Sequence, residues 1–319
     1  MSLDTDKLME RRRQRRQATL WKVVAAISFT ALVAVVVART VVQDSVYGDG
    51  LGAGMSAGDL LGGARIARVN VTGIILEDRH RDKLLQQLKD DDHIKAVLVN
   101  INSPGGTVVG GENLYLGLRD IAGEKPVVAV MGSTATSAAY MTAIGADRIY
   151  ARQGTLTGSI GVIMQTTDVT KLMDKIGMKP ETIKSGPLKA QPNPMEPFSD
   201  EAREHIQEVV MDMYDLFVGM VVERRGMDVE ATKALADGRV FTGKKALDAG
   251  LIDAIGGEAE ALDWLETEKG LEADLPVVDK KPKYPRPDLV DRLFGAFGKA
   301  LVSERLTLDG LLSVWHPNL

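Results

Sequence analysis

The sequence predicts an α/β domain on a largely parallel sheet, joined by a flexible tether to a helix that crosses a membrane. Three observations carry this. Strand-like runs alternate with helical ones from about residue 65 to residue 257. Sixteen residues without a charge, 23–38, follow arginines at 11, 12, 13, 15 and 16. Between the two lies "QDSVYGDGLGAGMSAGDLLGGA", rich in glycine and without a firm period.

Taken in order, residues 1–19 form a basic N-terminus and residues 20–42 the anchor. Leu20, Trp21, Val41 and Val42 lengthen the apolar run to a bilayer's width, and Lys22 and Arg39 snorkel to its two interfaces. Arg39 and the lack of a small-x-small site directly after the run argue against a cleaved signal peptide. The arginines hold the N-terminus in the cytoplasm, so the chain beyond residue 42 lies outside, at the cell (inner) membrane's far face. After the tether, 43–64, the domain spans 65–257. "ARIARVNVTGII" is a strand with Ile66, Val69 and Val71 inward, and "EDRHRDKLLQQLKDD" a helix on Leu84, Leu85 and Leu88. "IKAVLVNIN" is a buried strand that ends in a glycine turn, Ser103-Pro104-Gly105-Gly106. A helix on Leu114, Leu118 and Ile121 follows, then the strand "KPVVAVMG" and the short helix "SAAYMTAIGA". "DRIYAR" and "GSIGVIM" read as strands, "TDVTKLMDKIGM" as a helix and "KPETIKSG" as extended chain. Ser199 caps a long helix whose stripe from Ile206 to Val221 faces the core. "DGRVFTGKKALDAGLIDAIGG" closes the domain near Gly257, leaving 258–319 as a C-terminal extension. Its amphipathic "LVDRLFGAFGKALVSERL" packs on the core, on an oligomer partner or on a membrane surface.

Composition excludes several functions. A net charge of −5 leaves no broad basic surface for nucleic acid. Without cysteine there are no disulfides and no thiol catalysis, and four scattered histidines, His80, His93, His205 and His316, make no zinc pattern. Neither G-x-x-x-x-G-K-[ST] nor G-x-G-x-x-G follows the glycine turn.

What remains is hydroxyl chemistry. "GSTATSAAYMTA" crowds Ser133, Thr134, Thr136, Ser137 and Thr142 where a strand hands over to a helix. Ser137, at the helix start, is either an N-cap or a nucleophile favoured by the unpaired amides there. The glycine turn is either an ordinary strand–helix connection or one wall of an oxyanion hole, with the Ala138 N–H as second donor. None of the histidines lies in a glycine-rich turn, so a serine–histidine triad has little support. The other base is a lysine kept neutral by desolvation. Lys189 in "TIKSGPLKAQPNP" is the candidate, Lys184 its rival, and a solvated surface charge the alternative for either.

The ordered motifs "SPGG", "MGSTATSAAY", "LTGSIGVIM", "IKSGPLK" and "DGRVFTGKKALDAGLIDAIGG" resemble those of the signal peptide peptidase A (protease IV) family in its short bacterial form, over about residues 65–257. The resemblance implies a crotonase/Clp-protease-like domain and a Ser–Lys dyad. By motif, Ser137 corresponds to the nucleophile, Lys189 to the general base and Ser159 to the hydroxyl that orients the lysine. Gly106 and Ala138 correspond to the backbone oxyanion donors. Many members carry glycines where this chain has Ala138, Ala139 and Thr107, which leaves cleft width and subsite preference open. The resemblance further implies homo-oligomers whose neighbouring subunits complete each active site. Its substrates would be signal peptides left in the membrane, and it needs no metal or cofactor. The competing readings are a crotonase-type acyl-CoA hydratase or isomerase, and a non-catalytic membrane scaffold of the same fold.

Overall fold

The structure, a computed structural model, describes residues 63–284 and the strand 311–314. The expected anchor and tether, the amphipathic stretch before residue 311 and His316 lie outside the described residues. The first half of the domain runs β1 (Arg65–Ile75), α1 (Arg79–Asp90), β2 (Ile94–Thr107), α2 (Val108–Ala122), β3 (Val127–Thr136), α3 (Ala138–Ala143), β4 (Arg148–Ala151), β5 (Leu156–Gly158) and β6 (Ile163–Met164). The second runs α4 (Thr170–Lys175), α5 (Asp200–Arg225), α6 (Val229–Leu235), β7 (Val240–Thr242), α7 (Gly243–Asp248), β8 (Ala254–Ile255), α8 (Glu258–Thr267), β9 (Val277–Lys280) and β10 (Leu311–Val314).

Among the described residues ten strands form one sheet. Its core is parallel: β9, β1, β2, β3, β4 and β8 pair in that succession. Strand alternation splits this sheet between two apolar layers. Ala67, Val69, Val97, Val99, Val127 and Ala129 point to one face, which α1, α2, α3 and the end of α5 cover. Ile66, Ala96, Leu98 and Val128 point to the other, where Ala261, Trp264 and Leu265 of α8 close over them. Burying each large side chain contributes about 1.5–3 kcal/mol.

Three expectations change here. The Ser103–Gly106 stretch is not a turn, because β2 continues through it to Thr107. Glycine is needed there for spacing: a Cβ on Gly106 would stand 1.8 Å from the Ile75 carbonyl oxygen of β1. "GSIGVIM" is not one strand either. Gly158 and Ser159 take φ of 77° and 50°, so the chain breaks from β5 before β6 begins. Finally, the domain does not close at Gly257, since β9 pairs with β1 from Ile66 to Val69 and α8 roofs one face of the sheet.

The long helix α5 begins at Ser199, whose Oγ accepts the Ala202 N–H at 3.2 Å. Of the predicted stripe only Phe217, Met220 and Val221 are fully buried, together with Val218. At its end Arg224 donates to the carbonyls of Ile144 (2.9 Å) and Ala146 (3.1 Å), just past α3. Arg225 donates to Gly250 O at 2.8 Å and forks onto Asp253. These bonds fix where α3 stops. Arg224→Met keeps the stem but strands both carbonyls, and is expected to cost about 2 kcal/mol in chemical denaturation.

Candidate active site

Ser137 is the hinge between β3 and α3. Its backbone sits at φ 59°, ψ −123°, a conformation that L-residues avoid, and its side chain makes no capping hydrogen bond to α3. The capping reading therefore fails. A non-glycine residue held here at a sharp strand-to-helix turn is the geometry that presents a serine hydroxyl. The neighbouring hydroxyls are otherwise engaged. Thr136 Oγ1 donates to Pro104 O at 3.0 Å, and Thr142 Oγ1 donates back to Ala138 O at 2.9 Å. Tyr140, fully buried, donates to Leu251 O at 2.8 Å, and burial pushes its phenol well above the usual range.

Backbone bonds hold the elbow in register with its surroundings. Ser137 N–H donates to Gly158 O at 2.8 Å. One residue on, Ser159 N–H donates to Arg239 O at 2.8 Å, so β7 supports β5 and β5 supports Ser137. Thr157 Oγ1 adds a bond to Ala135 O at 2.7 Å. Gly158 is forced twice over, by its positive φ and by Phe241, whose ring would meet a Cβ at 2.6 Å.

Ser137 and Ser159 line one cavity of about 440 Å³. Gly161, Val162 and Ile163 form one wall; Val210, Met211 and Tyr214 of α5 form another; Asp237 and Gly238 stand at the rim. No sequence signal marks the N-terminal part of α5 as a cavity wall, since the Val210 stripe reads as core-facing. The Asp237–Gly238 turn did stand inside a quoted motif, without an assigned role. The Arg239 hydrogen bond draws the Asp237 carboxyl down to about 2. With its folded value below the ordinary 3.8, Asp237 stays ionised down to strongly acid pH and stands at the rim as an ion pair with Arg239. Burial, and then the charges of Asp215 and Asp237, raise the Tyr214 phenol, so this wall stays neutral.

The alanines after Ser137 do not narrow the cavity. Ala138 and Ala139 are fully buried. The Ala138 methyl faces Gly111 of α2, where an added Cβ would approach it to 2.9 Å. The Ala138 amide is the first of α3 and has no acceptor one turn earlier. Gly106 lies on β2, two residues past the Pro104 carbonyl that Thr136 grips.

The lysines separate. Lys184 is half-buried and paired with Glu196, whose carboxyl it holds below the usual range. Lys189 is exposed on a turn closed by its N–H to Gly186 O at 3.2 Å, and it is not among the residues lining the cavity of Ser137 and Ser159. Within one chain, then, the structure brings Ser137 and Ser159 together with β2 alongside, and leaves Lys189 outside that cavity. His80 packs on Tyr284 at 5.1 Å between ring centroids, His205 faces Glu208, and His93 is exposed. None of these three lines the cavity.

The family model described as Peptidase family S49 matches residues 119–272. A Synechocystis sp. protein named as a protease is 39% identical over 233 residues, 72% of this chain and 83% of that one. An Enterococcus faecium protein named as signal peptide peptidase SppA is 37% identical over 231 residues, 68% of this chain and 67% of that one. Among solved structures, a ClpP1 variant from Listeria monocytogenes aligns over 60% of this chain and 92% of its own, at 18% identity and a TM-score of 0.41.

Proposed function

The chain belongs to peptidase family S49 and acts on peptides, and from that premise we propose that it is a membrane-anchored serine endopeptidase of the Ser–Lys type. Its substrates on this reading are signal peptides left in the membrane after preprotein processing. The observation that carries the proposal is the strained elbow at Ser137, with its hydroxyl-bearing side chain on the wall of a cavity shared with Ser159.

Ser137 Oγ attacks the carbonyl carbon of an extended peptide, and the neutral amine of Lys189 takes the hydroxyl proton. The amide hydrogens of Gly106 and Ala138 hold the tetrahedral oxyanion. The lysine returns the proton to the leaving amine, and water, deprotonated in turn, releases the acyl group. Ser159 orients the lysine. The exposed, outlying position of Lys189 supports a site completed by a neighbouring copy of the chain, in a homo-oligomer of crotonase/Clp type. Residues 20–42 hold this assembly at the cell membrane with the catalytic domain outside the cytoplasm, beside substrates that share the bilayer.

Mixing two inactive variants tests the arrangement. Ser137→Ala and Lys189→Ala should each be inactive. After subunit exchange in equal amounts they should recover about a quarter of the sites, since half the serines then meet an intact neighbour's lysine half the time. Activity in Lys189→Ala alone would remove that residue from the mechanism. No recovery on mixing would place the base in the same chain as the serine. A lysine base must be unprotonated, so kcat/KM should also rise toward alkaline pH through one ionisation. Asp237, ionised down to about pH 2, should add no step to that profile.

A further inference from the structure

Between α4 and α5 the chain forms neither helix nor strand, and Lys189 stands in the middle of that stretch. Beyond Met178 its main-chain bonds are three single turns: Lys189 N–H to Gly186 O at 3.2 Å, Gln191 N–H to Leu188 O at 3.3 Å and Glu196 N–H to Asn193 O at 3.2 Å. One further bond, Val169 N–H to Pro194 O at 3.0 Å, ties the stretch to the start of α4. None of residues 179–198 belongs to either apolar layer. A segment so poor in ladder bonds and core contacts keeps one shape only where side chains hold it. Glu196 is where they meet. Its carboxylate pairs with Lys184 Nζ, accepts the Gln191 amide at 3.1 Å and is bonded by the Thr182 hydroxyl. Extended chain sends alternate side chains to opposite sides, so Thr182 and Lys184 reach the carboxylate while Ile183 between them is 95% exposed. Thr182 and Lys184 precede Lys189 and Gln191 follows it, so the bonds to Glu196 close a loop around that lysine.

We infer that Glu196 is a positioning residue for peptide hydrolysis: by gathering Thr182, Lys184 and Gln191 it fixes the loop that presents Lys189 to the nucleophile. The inference rests on the Ser–Lys reading above. A general base has to stand within hydrogen-bond reach of the proton it takes, and a misplacement of about 1 Å costs about a hundredfold in rate. Lysine brings a flexible four-carbon stem of its own, so the backbone beneath it has to be settled first. A loop already closed on Glu196 spends no binding energy on being ordered when a substrate or a second subunit arrives. The same carboxylate divides the labour between two lysines five residues apart. Lys184, with only 14% of its side chain exposed, is committed to the pair, and Lys189, exposed on the turn, is left for the site.

The experiment uses the full chain and two variants. Glu196→Ala removes all three bonds at once; Lys184→Glu combined with Glu196→Lys exchanges the charges and keeps a pair in place. Glu196→Ala should lower kcat for a peptide substrate about a hundredfold, with KM within about twofold and the thermal midpoint unchanged, since the loop lies outside the core. Its pH–rate profile should keep its alkaline rise at the parent's position and lose height only. The charge exchange should recover kcat to within about threefold of the parent. A second readout needs no turnover. Brief acylation of amines with a water-soluble succinimidyl ester, followed by peptide mass analysis, should modify Lys184 slowly in the parent and at least about tenfold faster in Glu196→Ala. A parent-like kcat in Glu196→Ala overturns the inference, and so does a folded charge exchange as slow as the alanine variant. Equal Lys184 labelling in parent and Glu196→Ala overturns it whatever the activity. If the parent hydrolyses no peptide while Lys184 labelling still responds, the loop is closed by Glu196 and the Ser–Lys reading is what falls.

Discussion

Ser137→Ala is expected to lower kcat/KM for peptide hydrolysis by about four to six orders of magnitude, the scale on which removing a serine nucleophile acts. Its unfolding free energy should stay within about 1 kcal/mol of the parent, because Ser137 caps nothing and alanine can take the same backbone at the same strain. Ser137→Gly makes the sharper comparison. A φ of 59° with ψ of −123° is strained for any residue with a Cβ and ordinary for glycine. Glycine should therefore be equally inactive yet more stable than alanine here, by about 1 kcal/mol. Turnover retained in purified Ser137→Ala would remove Ser137 from the chemistry. A glycine variant no more stable than the alanine one would mean that the elbow stores no strain.

Gly106→Ala is expected to be the most damaging single methyl in the domain's sheet. The new Cβ would stand 1.8 Å from Ile75 O and 2.5 and 2.6 Å from the same residue's C and N. β1 cannot step back there, because Ile75 is itself buried in the core and the strand's other apolar side chains are seated in both layers. The loss should exceed about 4 kcal/mol, a large part of a domain's total stability. The soluble folded fraction and the denaturation midpoint would both report it. Gly105→Ala provides the control. Its φ of 112° predicts strain of about 1–3 kcal/mol, comparable with other residues held in conformations only glycine prefers. A stably folded Gly106→Ala protein would contradict the spacing of β1 and β2. The same crowding means that an oxyanion role for the Gly106 amide cannot be probed by swapping its side chain.

Much of the fold was legible because period and burial coincide. Leu84, Leu85 and Leu88 recur at helical spacing, and all three are buried in α1. The alternation from Ile66 to Val71 likewise matches β1, with both core layers served. Punctuation misled where glycine served spacing rather than turning. Pro104, Gly105 and Gly106 read as a break, yet the strand persists because only a residue without a Cβ fits against Ile75. The role of α8 and β9 was missed for another reason. Their partners, Ile66 and Val128 among them, are distant in the chain, so no local pattern shows what Trp264 covers. At the site, position alone brought Ser137 forward as one of five hydroxyls. It took coordinates to release it from capping and to show Thr136 and Thr142 engaged with backbone carbonyls. The contribution of β10 could not be read at all, since an edge ladder is made by main-chain groups that every residue carries.

One bond has a consequence for timing. Ser159 N–H is held by the carbonyl of Arg239, and Gly158, which holds Ser137, is packed by Phe241. A ribosome delivers these partners in sequence order, with Ser159 made about eighty and Ser137 about a hundred residues before Arg239 and Phe241. Until β7 arrives, β5 is held by β3 alone, and the contorted backbone at Ser137 lacks the second of its two supports. The nascent chain therefore carries its candidate nucleophile only partly supported while about the next hundred residues are made. A serine-directed probe applied to chains arrested before and after residue 241 should label only the longer set. The chain itself would then be shielded from premature cleavage by birth order.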